Sequence, residues 1–281
     1  MTDLVIQAPN LNPSHIEKVA AIALAAGIKR INSTASCLQN VDAEQRALII
    51  ETCEALGVDG AFIDELKPLS DCRVLAMDMD STLINIECID EIADMVGRKP
   101  EVAAITQAAM RGEIKDFSES LRRRVALLEG VSVQDLNRVF EERLQLNAGA
   151  EKLIRAAQAA GLKTMLVSGG FTFYTDRLKE RLGLDFAFAN TLEIKGGKLT
   201  GRVLGDIVDA QGKANHLNWL AQETQADSTR IIALGDGAND LKMLALAYYS
   251  VAYRAKPIVR EQTRFSLNVS GLDGVLNWFT H

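Results

Sequence analysis

The sequence predicts an α/β fold: a doubly wound parallel sheet with an inserted helical cap, preceded by a small N-terminal α/β domain. Three runs carry the sheet, Val74-Leu75-Ala76-Met77, Thr164-Met165-Leu166-Val167 and Ile231-Ile232-Ala233-Leu234. Each is apolar almost throughout and flanked by helix-like sequence, the pattern of strands covered on both faces. The cap follows from spacing. About 80 residues with no convincing strand separate the first run from the second, far more than a simple β-α-β crossover needs. Length adds the smaller domain, since 281 residues amount to about two domains at roughly 150 residues each.

From the N-terminus, Leu4 to Gln7 reads as a short strand, and Pro13 with Ser14 opens a helix. Its Ile16, Val19, Ala20, Ala23 and Ala26 recur at helical spacing until Gly27 ends it. An extended stretch from Ile31 to Cys37 follows, then a helix from its cap at about Asp42 to Leu56, and after Gly57 a short strand around Ala61 to Ile63. This β-α-β-α-β order resembles a shortened ACT-type amino-acid-binding domain. It carries no motif that assigns a ligand, so packing or homodimerisation is its expected role. Lys67-Pro68-Leu69 marks a boundary, dividing the chain into 1–70 and 71–281. Helical patterns over Phe117 to Glu129 and Val133 to Arg143 place the cap at about 88–148. Asn190 to Val203, centred on Gly196-Gly197, reads as a β-hairpin appended to the core.

Lysine and arginine number 31 against 37 aspartates and glutamates, a net charge of −6. That balance disfavours nucleic acid and anionic membrane surfaces as partners and points to small-molecule chemistry. Hydrophobic residues make up 48% and mean hydropathy is +0.04, enough for a packed core. Cys37, Cys53, Cys72 and Cys88 form no C-x-x-C pair, and His15, His216 and His281 have no metal-ligand spacing. Neither a disulfide framework nor a zinc site is expected, and the cysteines read as small buried hydrophobes. The N-terminus lacks a basic segment followed by an apolar stretch, and no run approaches the roughly 18 apolar residues that span a bilayer. Cytoplasmic residence is the expectation.

Ligands of open α/β sheets bind at the carboxyl ends of strands. The three apolar runs end in Asp78-Met79-Asp80-Ser81-Thr82, Ser168-Gly169-Gly170 and Gly235-Asp236-Gly237-Ala238-Asn239-Asp240. Carboxylates gathered there repel one another and lose hydration, which a hard divalent cation with oxygen ligands offsets. Asp78 and Asp236 are the candidate ligands, and without paired histidines Mg²⁺ suits the site better than Zn²⁺. Two aspartates one residue apart cannot project the same way from a regular strand, but a loop past its end can aim both inward. That arrangement suits two roles, one carboxylate attacking and the other moving a proton.

Together with Lys213, these clusters resemble the four ordered motifs of the haloacid-dehalogenase-like (HAD) phosphatases, whose core is Rossmann-like, over about residues 72–281. The cap resembles the phosphoserine phosphatases of that superfamily through Glu87-Cys88-Ile89-Asp90-Glu91-Ile92-Ala93 and Phe117-Ser118-Glu119-Ser120-Leu121-Arg122-Arg123-Arg124-Val125. The resemblance implies that Asp78 attacks phosphorus to form an aspartyl-phosphate. Asp80 then donates a proton to the departing serine oxygen and takes one from water. It further implies Mg²⁺ on Asp78, the Asp80 backbone carbonyl and Asp236, with Lys213 balancing charge and Ser168 and Gly169 holding phosphate oxygens. Asn239 and Asp240 would order the substrate or the metal shell. The ammonium and carboxylate of O-phosphoserine would fall to Glu87 and Arg124, with Arg124 favoured over Arg122 and Arg123, and the reaction would be the last step of serine biosynthesis. Met95 and Phe117 read as core or pocket wall.

Two alternatives are distinct. One keeps the chemistry and changes the substrate to phosphohomoserine or another small phosphate ester. The other makes the chain an amino-acid-sensing or scaffold protein with a vestigial phosphatase fold, against which stands the intact set Asp78, Asp80, Lys213 and Asp236.

Overall fold

The computed structural model describes residues 2–280. Strand β1 (Thr2–Gln7) leads to helix α1 (Pro13–Ile22), where the Asn12 side chain accepts the orphan N–H of His15. Then come β2 (Gly27–Asn32), β3 (Ala35–Val41), α2 (Arg46–Leu56) and β4 (Asp59–Ile63). The four strands form an antiparallel sheet in the order β2-β3-β1-β4. Its core is Leu4, Ile6, Leu38, Ile49 and Phe62, all nearly inaccessible, each contributing about 1.5–3 kcal/mol by burial.

Two sequence expectations are corrected in this unit. The order is β-α-β-β-α-β, because the segment around Ile31 to Cys37 is a hairpin, with Gly27 pairing Gln39 and Asn32 pairing Ala35. Gly27 does not end α1; the helix stops at Ile22 and Gly27 opens β2. Strand β2 lies at the sheet edge and is largely exposed, so Lys29 and Arg30 sit in it without an apolar run to betray a strand.

The segment β5 (Lys67–Pro68), read as a boundary, pairs in parallel with β13 (Phe279–Thr280), so the end of the chain is tied back beside it. The second sheet has seven strands. In chain order they are β6 (Val74–Met77), β7 (Lys163–Phe171), β8 (Phe186–Lys195), β9 (Lys198–Leu204), β10 (Ile231–Gly235), β11 (Tyr249–Tyr253) and β12 (Phe265–Leu267). Their spatial order is β12-β11-β10-β6-β7-β8-β9, parallel except for the β8–β9 hairpin. Gly196 and Gly197, at φ 57° and 73°, make the left-handed turn such a hairpin favours. The strands β6 and β10 are buried along their whole length, covered on one face by α9 (Ala210–Glu223) and on the other by α7 (Ala150–Ala159) and α8 (Thr172–Leu182).

Between β6 and α7 lie α3 (Cys88–Met95), α4 (Lys99–Met110), α5 (Phe117–Ala126) and α6 (Val133–Arg138). Helices α5 and α6 both stop short of the expected Glu129 and Arg143, and residues Val139–Arg143 continue as a wider turn. The short elements α10 (Leu241–Leu244) and α11 (Pro257–Gln262) follow β10 and β11. Among the described residues no helix is long and apolar enough to cross a membrane. The four cysteines are free and buried. His216 stacks on Phe188 at 3.9 Å, and His281 lies outside the described residues.

Candidate active site

Asp78 directly follows β6, and its N–H donates to the Leu234 carbonyl on β10 at 3.0 Å, so strand geometry persists through it. The chain then winds through Met79–Leu83, where Ser81 has φ 56°. A residue with a Cβ is strained there, at a cost of about 1–3 kcal/mol. The turn defeats the strand's alternation, and the Asp78 and Asp80 carboxylates both line one cavity of about 530 Å³.

At the end of β7 the register with β8 breaks between Val167 and Phe171, which frees Ser168, Gly169 and Gly170 to line the same cavity. The Gly170 N–H donates to Ser168 Oγ at 2.8 Å, and the Ser168 hydroxyl lies 3.5 Å from Asp80 Oδ2. A Cβ at Gly170 would stand 2.6 Å from Asp80 Oδ2, so only glycine fits between these groups.

Lys213 comes from the first turn of α9, where the Asp209 side chain accepts the Gly212 N–H at 2.8 Å. The lysine is 1% exposed, and its Nζ donates to Asp78 Oδ1 at 2.6 Å and Asp240 Oδ1 at 2.7 Å. The other oxygen of Asp240 accepts the N–H groups of Asp236 and Gly237 at 3.2 and 3.0 Å. Burial opposes the Lys213 charge, but Asp240 and Asp78 outweigh it and hold the lysine above its ordinary pKa. Burial, then the Asp240 carboxylate, raises Asp78 well above the carboxylate range against the pull of Lys213. Asp80 is pushed up to about 7 by burial and then by Glu87, opposed by the Cys88 N–H that its Oδ1 accepts at 3.0 Å. Asp236 likewise rises to about 7 through burial and the nearby Asp240.

Asp78, Asp236 and Asp240 each bring a carboxylate oxygen within 4.8 Å of the others. Burial is the first cause of each raised carboxyl pKa, and for Asp78 and Asp236 the excess of three carboxylates over one ammonium adds to it through Asp240. Asp240 has both oxygens engaged, whereas Asp78 keeps Oδ2 free and Asp236 accepts a bond from Thr82 at 3.4 Å. All donors are oxygens and, among the described residues, no histidine or cysteine lines the cavity, a set that fits a hard divalent cation.

The far wall comes from α3 to α5. Glu87 lies just before α3 and accepts a bond from the Ser81 hydroxyl at 2.7 Å. Arg124, in the last turn of α5, is half-buried and lines the cavity, while Arg122 and Arg123 are exposed outside it. Phe117 forms part of the wall; Met95 packs into the core instead. Asn239 lines the core side.

Several residues at this site carry no advance signal. The bond from Thr82 to Asp236 and the one from Lys213 to Asp240, itself expected at the metal shell, join positions more than 25 apart, and Lys115 and Lys256 reach the rim from loops. Asp90, also lining the cavity, was findable, since it stands three residues after Glu87 in the first turn of α3.

Residues 75–245 match the haloacid dehalogenase-like hydrolase family, and residues 4–49 match a domain of unknown function. Over 212 residues, 74% of this chain and 90% of the relative, the sequence is 56% identical to a phosphoserine phosphatase of Polaromonas sp.. The unliganded crystal structure of a probable phosphoserine phosphatase from Vibrio cholerae superposes with TM-score 0.85 at 39% identity, covering 98% of this chain and 85% of that one. A substrate-bound phosphoserine phosphatase complex superposes with TM-score 0.69 at 37% identity, covering 74% and 99%.

Proposed function

The chain belongs to the haloacid dehalogenase-like hydrolases and, within them, to the phosphoserine phosphatases, and we propose that it hydrolyses O-phosphoserine through Asp78 as nucleophile. The observation that carries this reading is the buried Asp78–Lys213–Asp240 triad beside Asp80 in a cavity whose opposite wall holds Glu87 and Arg124.

Lys213 holds Asp78 by Oδ1 and pulls against the rise in its pKa, so that Oδ2 of the ionised carboxylate is left to attack phosphorus in line. Asp80, with a pKa near 7, is protonated often enough at neutral pH to donate to the departing serine oxygen. The carboxylate so formed then takes a proton from the water that cleaves the aspartyl-phosphate, which restores both aspartates. Ser168 and the Gly169 N–H hold phosphate oxygens, and Lys213 offsets the charge that gathers on them. Asp78, the Asp80 backbone carbonyl and Asp236 would hold Mg²⁺, which when bound lessens repulsion between the nucleophile and the phosphate dianion. Asn239, on the core side of the cavity, would orient the phosphate end of the substrate.

Arg124 offers a planar fork for the substrate carboxylate and Glu87 an anion for its ammonium, so a phosphate ester lacking either group loses partners. A panel of O-phosphoserine, phosphohomoserine, phosphothreonine and sugar phosphates, assayed with Mg²⁺ and with a chelator, tests this. Preferred turnover of phosphoserine, lost with chelator, is expected; equal turnover of the sugar phosphates would reject the substrate assignment. Residues 1–70 are read as a homodimerising domain, which the exposed Ile28 on the edge strand β2 supports.

A further inference from the structure

Asn190 lies on β8, outside the cavity, and is 1% exposed. Its side chain makes two bonds in opposite directions. The Nδ2 group donates to the Gly169 carbonyl at 2.8 Å, and Oδ1 accepts the Val208 N–H at 2.8 Å. A carbonyl on one side and an N–H on the other fix which way the amide points.

The Gly169 carbonyl belongs to the peptide joining Gly169 to Gly170. A peptide between two glycines meets little steric resistance to turning over, and this one lies where the register between β7 and β8 is interrupted, Phe171 next pairing with Asn190 itself. The N–H of the same peptide is the one that donates to Ser168 Oγ at 2.8 Å. Holding the carbonyl toward Asn190 therefore holds the N–H toward Ser168. With an acceptor position of Ser168 Oγ so occupied, its hydroxyl proton points into the site, where it faces Asp80 Oδ2 at 3.5 Å.

The second bond reaches the other charged element. Val208 precedes Asp209, whose side chain and carbonyl accept the N–H groups of Gly212 and Lys213 at 2.8 and 2.9 Å. The amide that fixes the Ser168-Gly169-Gly170 turn thus also fixes the approach to the helix that presents Lys213.

We propose that Asn190 is a positioning residue for phosphate, locking the Gly169–Gly170 peptide and the start of the Lys213 helix in one arrangement. The proposal rests on the reading of Ser168, Gly169 and Lys213 as the phosphate-holding groups. Its signature is selective: the phosphate end of the site should suffer and the amino-acid end should not.

Asn190→Asp keeps an acceptor for Val208 but sets a carboxylate against the Gly169 carbonyl, while Asn190→Leu removes both bonds at similar volume. Inhibition constants for inorganic phosphate and for L-serine are measured in the wild-type enzyme and both variants, with kcat for phosphoserine and thermal unfolding. Each variant should weaken phosphate about tenfold or more and lower kcat about 10- to 100-fold, with the L-serine constant within about twofold. Equal weakening of phosphate and L-serine would overturn the proposal, as would unchanged phosphate affinity or loss of the fold in both variants. Failure of the wild-type enzyme to turn over phosphoserine would instead reject the functional reading beneath it.

Discussion

Replacing Lys213 with methionine removes the one cation from a group of three gathered carboxylates. Lys213, Asp78 and Asp240 have side chains 1%, 5% and 0% exposed, with contacts of 2.6 and 2.7 Å, so water cannot take over the lost charge. Leaving buried ionic partners uncompensated costs about 3–5 kcal/mol. For a unit the size of residues 71–281 that is a fall in Tm of about 6–20 °C. The loss has a pH signature. Asp78 already has a raised pKa in the folded state, and without Lys213 it rises further. An acid raised on folding contributes its full stability below its unfolded pKa and loses it as pH climbs through the folded value. The variant should therefore be least stable at alkaline pH and recover as pH falls. Saturating Mg²⁺ should narrow the gap in Tm by supplying charge, yet leave kcat depressed about 10²- to 10³-fold, because an oriented donor to the phosphate is still missing. Thermal unfolding across pH 5 to 9, with and without Mg²⁺, reads these effects. A Tm within about 2 °C of the wild type at every pH would refute the reasoning.

Glu87→Gln and Arg124→Ala should lower kcat/KM for phosphoserine about 100-fold and leave an aryl phosphate within about threefold; Arg122→Ala and Arg123→Ala should change neither, and parallel steady-state assays separate the cases. Metal affinity should depend on pH. Asp236, raised to about 7, must lose its proton to bind a cation, so calorimetric Mg²⁺ affinity should fall progressively below pH 7, its slope approaching about tenfold per unit, and a flat profile would exclude Asp236 from the ligands.

The buried strands β6 and β10 were readable almost to the residue, because parallel strands covered on both faces must be continuously apolar; β7 was readable only in its apolar half, Thr164 to Val167, and runs on through Ser168-Gly169-Gly170 to Phe171. Strand β2 was not, since an exposed edge strand such as Ile28-Lys29-Arg30-Ile31 has no face to bury and thus no periodic signature. The same divide runs through the site. Asp78, Asp80, Ser168, Gly169 and Asp236 announce themselves by standing at the carboxyl ends of buried apolar runs. Asp240 as the second partner of Lys213, Thr82 beside Asp236, and Asn190 behind Gly169 are set by packing between distant segments. No local pattern in the sequence encodes such pairings.

The central claim is a covalent intermediate on Asp78. Rapid-quench labelling with phosphoserine carrying a radioactive phosphate, followed by peptide mapping, tests it most directly. The account predicts label on the peptide containing Asp78 during turnover, and neither label nor turnover in Asp78→Asn with its fold intact. Label on another residue, or turnover near wild type in Asp78→Asn, would contradict it.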